Sequence, residues 1–76
     1  MSREHIIRDL RKLVELYVYE LPETENDNLD FIDYVDKLSF AIDIDSEYGT
    51  YLTDEEVTKC KTLNDFIDVI EQQVGI

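Results

Sequence analysis

Apolar residues in this chain recur at steps of three and four, and no stretch alternates at every second position long enough to argue for a sheet. In "SREHIIRDLRKLVELYVYE", Ile6, Ile7, Leu10, Leu13, Val14 and Tyr17 lie at helical spacing behind Ser2, a candidate N-cap. Pro22 is expected to end this helix, because the residue before a proline avoids the helical region, and Glu23–Asn26 is then a polar linker. A second helix is expected to begin at Asp27 or Asn28, with Ile32, Val35, Leu38 and Ile42 on its apolar stripe and Phe31 beside them. "DIDSEYGTYL" lacks that period, contains Gly49 and reads as a loop. It leads into the sharpest local signal, "LTDEEV": Thr53 and Glu56 have the spacing of a capping box, and Leu52 and Val57 that of a hydrophobic staple. The short helix begun at Asp54 stops before Thr62, the cap of a last helix that carries Leu63, Phe66, Ile67, Ile70 and Val74 and stops at Gly75. The order is long, long, short, long, which reads as an all-α four-helix bundle with a short third helix.

With 76 residues, the chain is read as one domain, 1–76, near the size at which a single core is only marginally sufficient. The apolar fraction of 43% fits a folded domain rather than an acidic tail. Cys60 is the sole cysteine, so stability must come from packing without an internal disulfide, which suits a reducing compartment. No apolar run reaches membrane-spanning length and the N-terminus has no signal-peptide pattern, so a cytoplasmic location is expected.

The net charge of −12 is concentrated in the middle of the chain. Residues 20–56 hold thirteen acidic groups against Lys37 alone, whereas residues 1–19 sum to +1 and residues 57–76 to −1. Such a field repels nucleic-acid phosphate and anionic membrane and attracts basic protein surfaces. Acids in a first helical turn favour the positive end of the helix dipole, which accounts for Asp27 and Asp30 if the helix begins where expected, but not for Asp33 and Asp36. A well-solvated surface is the bland explanation for the remainder.

Two segments carry a family resemblance. "DEEVTKCKTLNDFIDVIE", residues 54–71, resembles the short third helix and the fourth helix of an acyl carrier protein. "NLDFIDYVDKLSFAI", residues 28–42, resembles its acidic second helix, with Leu29, Ile32, Val35, Leu38 and Ile42 in the apolar places. Together they cover roughly half the chain, and the first helix matches in character. The resemblance implies a phosphopantetheine arm on a serine within Asp-Ser-Leu at the start of the second helix, whose hydroxyl oxygen attacks the coenzyme A pyrophosphate. Aligned this way the triplet is Asp27-Asn28-Leu29, and the delocalised amide nitrogen of Asn28 is a poor nucleophile. No cofactor is then expected, and phosphopantetheine enters only if another serine is used, Ser39 being the one within the second helix. Asn28 would still serve as an N-cap. The segment between the first two helices is also far shorter than usual for the family and lacks its glycine, and the loop from Asp43 to Thr53 is longer.

What the resemblance retains is an acidic recognition face. It implies that Asp27, Leu29, Asp30, Asp33 and Asp36, with Glu55 and Glu56 on the third helix, meet a basic surface on a partner, such as an enzyme of acyl or peptidyl carrier pathways. The reading is a non-catalytic interaction module. Two alternatives stand beside it: a working carrier modified at Ser39, and an acidic inhibitor or immunity protein for a basic partner, with Tyr48 and Tyr51 around Gly49 as its contacts.

Other chemistry finds little support. Asp43, Asp45, Glu47 and Asp54 stand at positions 1, 3, 5 and 12 of a calcium-loop pattern, but Tyr48 replaces its glycine and an Asp its bidentate Glu, so no metal site is expected. His5 is alone, no serine has a base partner, and Cys60 reads as a small core residue. The five tyrosines and three phenylalanines are expected mainly in the core. No catalytic residue is expected.

Overall fold

The computed structural model describes residues 2–75; Met1 and Ile76, the ends of the expected domain, lie outside the described residues. The described residues contain four α-helices, α1 (Arg3–Val14), α2 (Tyr34–Tyr48), α3 (Asp54–Lys59) and α4 (Leu63–Val74), a 3₁₀ turn over Glu15–Tyr17, and no strand. The all-α reading and the helix order therefore hold.

Ser2 caps α1 by accepting from the His5 amide, and Ile6, Leu10 and Val14 form its buried stripe. The helix does not run on to Pro22. It tightens into the 3₁₀ turn and stops where Val18 turns extended, at φ −133° and ψ 151°. Pro22 is buried instead, and its carbonyl accepts from Arg11 Nη1 at 2.8 Å. Arg3 ties the start of α1 to α4 through Asn64, Asp68 and Glu71.

The second helix departs most from expectation. It starts at Tyr34, not at Asp27 or Asn28, with Asp33 as N-cap accepting from the Asp36 amide at 2.9 Å. Residues ahead of it are held in a different arrangement. The Leu29 amide donates to the Lys61 carbonyl at 2.8 Å, the Asn64 amide donates to the Glu25 carbonyl at 3.0 Å, and a turn closes from Ile32 N to Leu29 O. Leu29 and Ile32 are buried as anticipated, but as anchors of an irregular segment on the α3–α4 junction. The buried face of α2 is also rotated: Phe40, Ala41 and Ile44 point inward with the stem of Lys37, while Val35 and Ile42 point outward. Leu38 is half-buried against the core.

At its far end α2 runs through Ile42 to Tyr48, so most of the expected loop is helix. Gly49 ends it at φ 69°, where its amide donates to the Asp45 carbonyl. The Asp45 carboxylate then collects the exit segment, accepting from Thr50 Oγ1 at 2.7 Å and from the Leu52 amide at 3.1 Å. The capping box is present as read: Thr53 Oγ1 accepts from the Glu56 amide and Glu56 accepts from the Thr53 amide, with Leu52 and Val57 both buried. Thr62 and Asp65 build a second box at the head of α4. Leu63, Phe66, Ile67 and Ile70 are buried; Val74, at the frayed end, is exposed.

Phe40 and Phe66 meet edge-to-face in the centre, with ring centroids 5.1 Å apart, and Tyr17 packs on the other side of Phe40 at 6.3 Å. These two phenylalanines are the only fully buried aromatic residues among the described ones. Tyr17 and Tyr48 pack against the core, but Tyr19, Phe31, Tyr34 and Tyr51 are exposed, which corrects the expectation that the aromatic residues serve mainly the core. Two phenols cross-tie α2 to the first helix: Tyr17 donates to Asp43, and Tyr48 donates to Asp9 at 2.7 Å. The hydrogen bond to Asp43, then burial, pushes the Tyr17 phenol up to about 12; burial and Asp9 push Tyr48 up as well. A phenol ordinarily ionises near 10. The folded form thus prefers both groups neutral, a contribution intact below pH ~10 and lost as pH rises through the folded-state values. The buried Cys60 thiol, raised to about 11, acts in the same direction. Alkaline titration of stability should show a falling slope above pH ~10, and Tyr17→Phe with Tyr48→Phe should flatten most of it. An unchanged slope would remove the phenols from this account.

Candidate docking and attachment site

The residues expected at the site fall into three groups. Leu29 is fully buried and belongs to the core, not to a partner surface. Asp27, Asn28, Asp33 and Glu56 serve local structure. Asp27 accepts from the Glu23 and Thr24 amides and the Thr24 hydroxyl, and these bonds lower its pKa below the usual aspartate value. Asn28 Oδ1 accepts from the Asp30 amide at 2.6 Å, which makes Asn28 the first residue of an Asx turn rather than the cap of α2. Asp33 caps α2 and Glu56 completes the box of α3. That leaves Asp30 and Asp36, without ion-pair partners among the described residues, and Glu55, whose pair with Lys59 is exposed at both ends.

The leading end of α2 is formed by Asp33-Tyr34-Val35. Asp33 is held as the cap, Tyr34 is the first helical residue at 49% exposure, and Val35 stands outward at 70%. From there Val35 and Ile42, the latter 66% exposed, project from α2 with the half-buried Ser39 between them in sequence. At 100° per residue, positions 35, 39, 42 and 46 share one face, with Asp36 and Asp43 along one flank. An outward aliphatic pair on a helix whose opposite side is already buried has no role in this chain's own core. Periodicity alone missed it, because α2 carries two apolar faces and the reading assigned the outer one to the core.

The remaining candidates resolve as structure. Asp43 and Asp45 of the calcium-like pattern lie on a helix and accept, respectively, from Tyr17 and from Thr50 and Leu52. No group of three or more His, Cys, Asp or Glu side chains among the described residues is arranged to hold a metal ion. Cys60 is buried, its thiol pushed up by burial and so held in the unreactive form. Tyr48 is half-buried in its bond to Asp9, while Tyr51 is exposed, its backbone bracketed by the Gln73 amide group.

Four helices with a short, box-capped third member and an acid-flanked second one define the class: a carrier-type helical bundle. The comparison with known proteins agrees. The chain is 30% identical to an acyl carrier protein of Coprothermobacter proteolyticus, over 97% of its own length and 96% of that protein's. It belongs to the acyl carrier protein family. No family model matches it, and no solved structure does. No helix among the described residues is long and apolar enough to cross a membrane.

Proposed function

We propose that this domain is a carrier-family member that docks on basic partner surfaces without bearing a phosphopantetheine arm. The observation that carries the reading is the identity of the first residue of α2. The family motif is an aspartate, then the attachment serine, then leucine, at the start of the second helix; here the capping aspartate is Asp33 and the next residue is Tyr34. Placing the motif at Asp33-Tyr34-Val35 instead of Asp27-Asn28-Leu29 also removes both departures in length from the family, although the connection still lacks a glycine. The connection between the first two helices becomes long, residues 18–33, and the loop after the second becomes short, residues 49–53. A phenol holds its oxygen at the far end of a rigid ring, well beyond the reach of a serine Oγ from the same backbone. A transferase that accepts a serine there would find the ring in the way.

Docking is supported by the outward pair Val35 and Ile42 beside Asp36, with Asp30 and Glu55 adding charge. Carboxylates steer a basic partner and the aliphatic pair gives it a dry contact. The buried single thiol suits a reducing compartment such as the cytoplasm. Incubation with coenzyme A and a phosphopantetheinyl transferase, read by intact-mass spectrometry, tests the first half. The expected result is no adduct on the native chain or on Ser39→Ala, and a single phosphopantetheine on Tyr34→Ser. A stable adduct on the native chain overturns the reading, and its loss in Ser39→Ala would locate it.

A further inference from the structure

A cleft of about 480 Å³ opens between the end of the first helix and the segment before α2. Tyr19, Pro22 and Phe31 wall it, and Glu20, Glu23 and Asp27 line it with carboxylates. None of its lining residues is basic. Tyr19 is fully exposed and Phe31 61% exposed, so two aromatic rings stand in water with no covering element among the described residues. Large exposed aromatic side chains grouped at a concavity mark a contact surface rather than ordinary surface scatter. The acids decide what kind.

We propose that this cleft receives an arginine side chain from a basic partner protein. A guanidinium is planar and weakly hydrated, stacks on aromatic faces, and donates in a fork to carboxylates; an arginine stem supplies the apolar length to reach past Tyr19 and Phe31. A purely apolar side chain would satisfy the rings but leave Glu20 and Glu23 without a countercharge, Asp27 being the one of the three acids already hydrogen-bonded. A lysine would supply charge without the planar face. Two lining residues are held in place beforehand: Arg11 donates to the Pro22 carbonyl, and Asp27 is fixed by three bonds from Glu23 and Thr24. Because these bonds keep Asp27 in the ionised form, its charge is present across the physiological range. Little ordering therefore remains to be done on binding.

The inference takes the basic character of the partner from the docking reading, but its test uses a small probe, so either can fail alone. N-acetyl-arginine amide is titrated into the isotope-labelled full chain and followed by backbone amide shifts. The expected result is a saturable change confined to residues around Leu21, Glu23, Asp27, Asn28 and Phe31, with the neutral citrulline analogue at least about tenfold weaker. The double variant Tyr19→Ala and Phe31→Ala, whose side chains are exposed, should lose the arginine response while its other amides stay in place. Equal response to citrulline, shifts spread over all the acids, retained binding in the double variant, or no saturation at all would each overturn the proposal.

Discussion

Phe66→Ala should remove a large share of the chain's folding stability and shift its unfolding midpoint further than any other single truncation. Phe66 has no solvent exposure and meets Phe40 edge-to-face at 5.1 Å, so it joins α4 to α2 at the centre of the core. Truncating a buried phenylalanine costs about 3–5 kcal/mol through lost transfer energy and the cavity left behind. A domain of this length is held by only about 4–11 kcal/mol in total, with no disulfide to limit the unfolded state. The loss is therefore comparable with the whole. Urea unfolding followed by circular dichroism is the measurement, and Phe66→Leu, which keeps most of the volume, should remain folded with a lowered midpoint. A midpoint for Phe66→Ala equal to the native one would show that the Phe40–Phe66 contact does not organise the core.

Asp45→Ala should be the most damaging change outside the apolar core. Its carboxylate receives the Thr50 hydroxyl and the Leu52 amide, and both donors belong to buried residues. Removing the acceptor strands them in a place water reaches poorly, at about 1–3 kcal/mol for each unsatisfied group. Asp45→Asn keeps one acceptor oxygen and should lose less. The signature is local as well as global: amide hydrogen exchange at Leu52 and Thr53 should accelerate before exchange in α1. If it does not, the segment between α2 and α3 is held by the burial of Leu52 alone.

Most of the scaffold was legible from residue order. Caps at Ser2, Thr53 and Thr62 fall where side-chain chemistry puts them, because a cap is a contact between near neighbours and needs no tertiary information. The head of α2 was not legible for the converse reason. Asp27, Asn28, Asp30 and Asp33 are all competent caps, and the choice among them is made by partners distant in sequence: Lys61 and Asn64 take up the backbone of Leu29 and Glu25. Leu29 and Ile32 were rightly placed inside, yet being buried at helical spacing did not make them helical. The same displacement is what leads the proposal to place the family motif at Tyr34 rather than at Asn28. The Asp43–Thr53 stretch was misread because Tyr17, Thr50 and Leu52 satisfy acids that looked unassigned in sequence.

The two phenol ties have a mechanical corollary. Tyr17 to Asp43 and Asp9 to Tyr48 connect antiparallel partners at two levels, each phenol supplied by a different one. A helix gripped at two heights by opposed tethers can neither slide nor roll without breaking one of them. Turning Val35 and Ile42 toward the interior would demand such a roll. Their aliphatic surface is thereby kept outward, so the proposed docking would require no rearrangement of the domain.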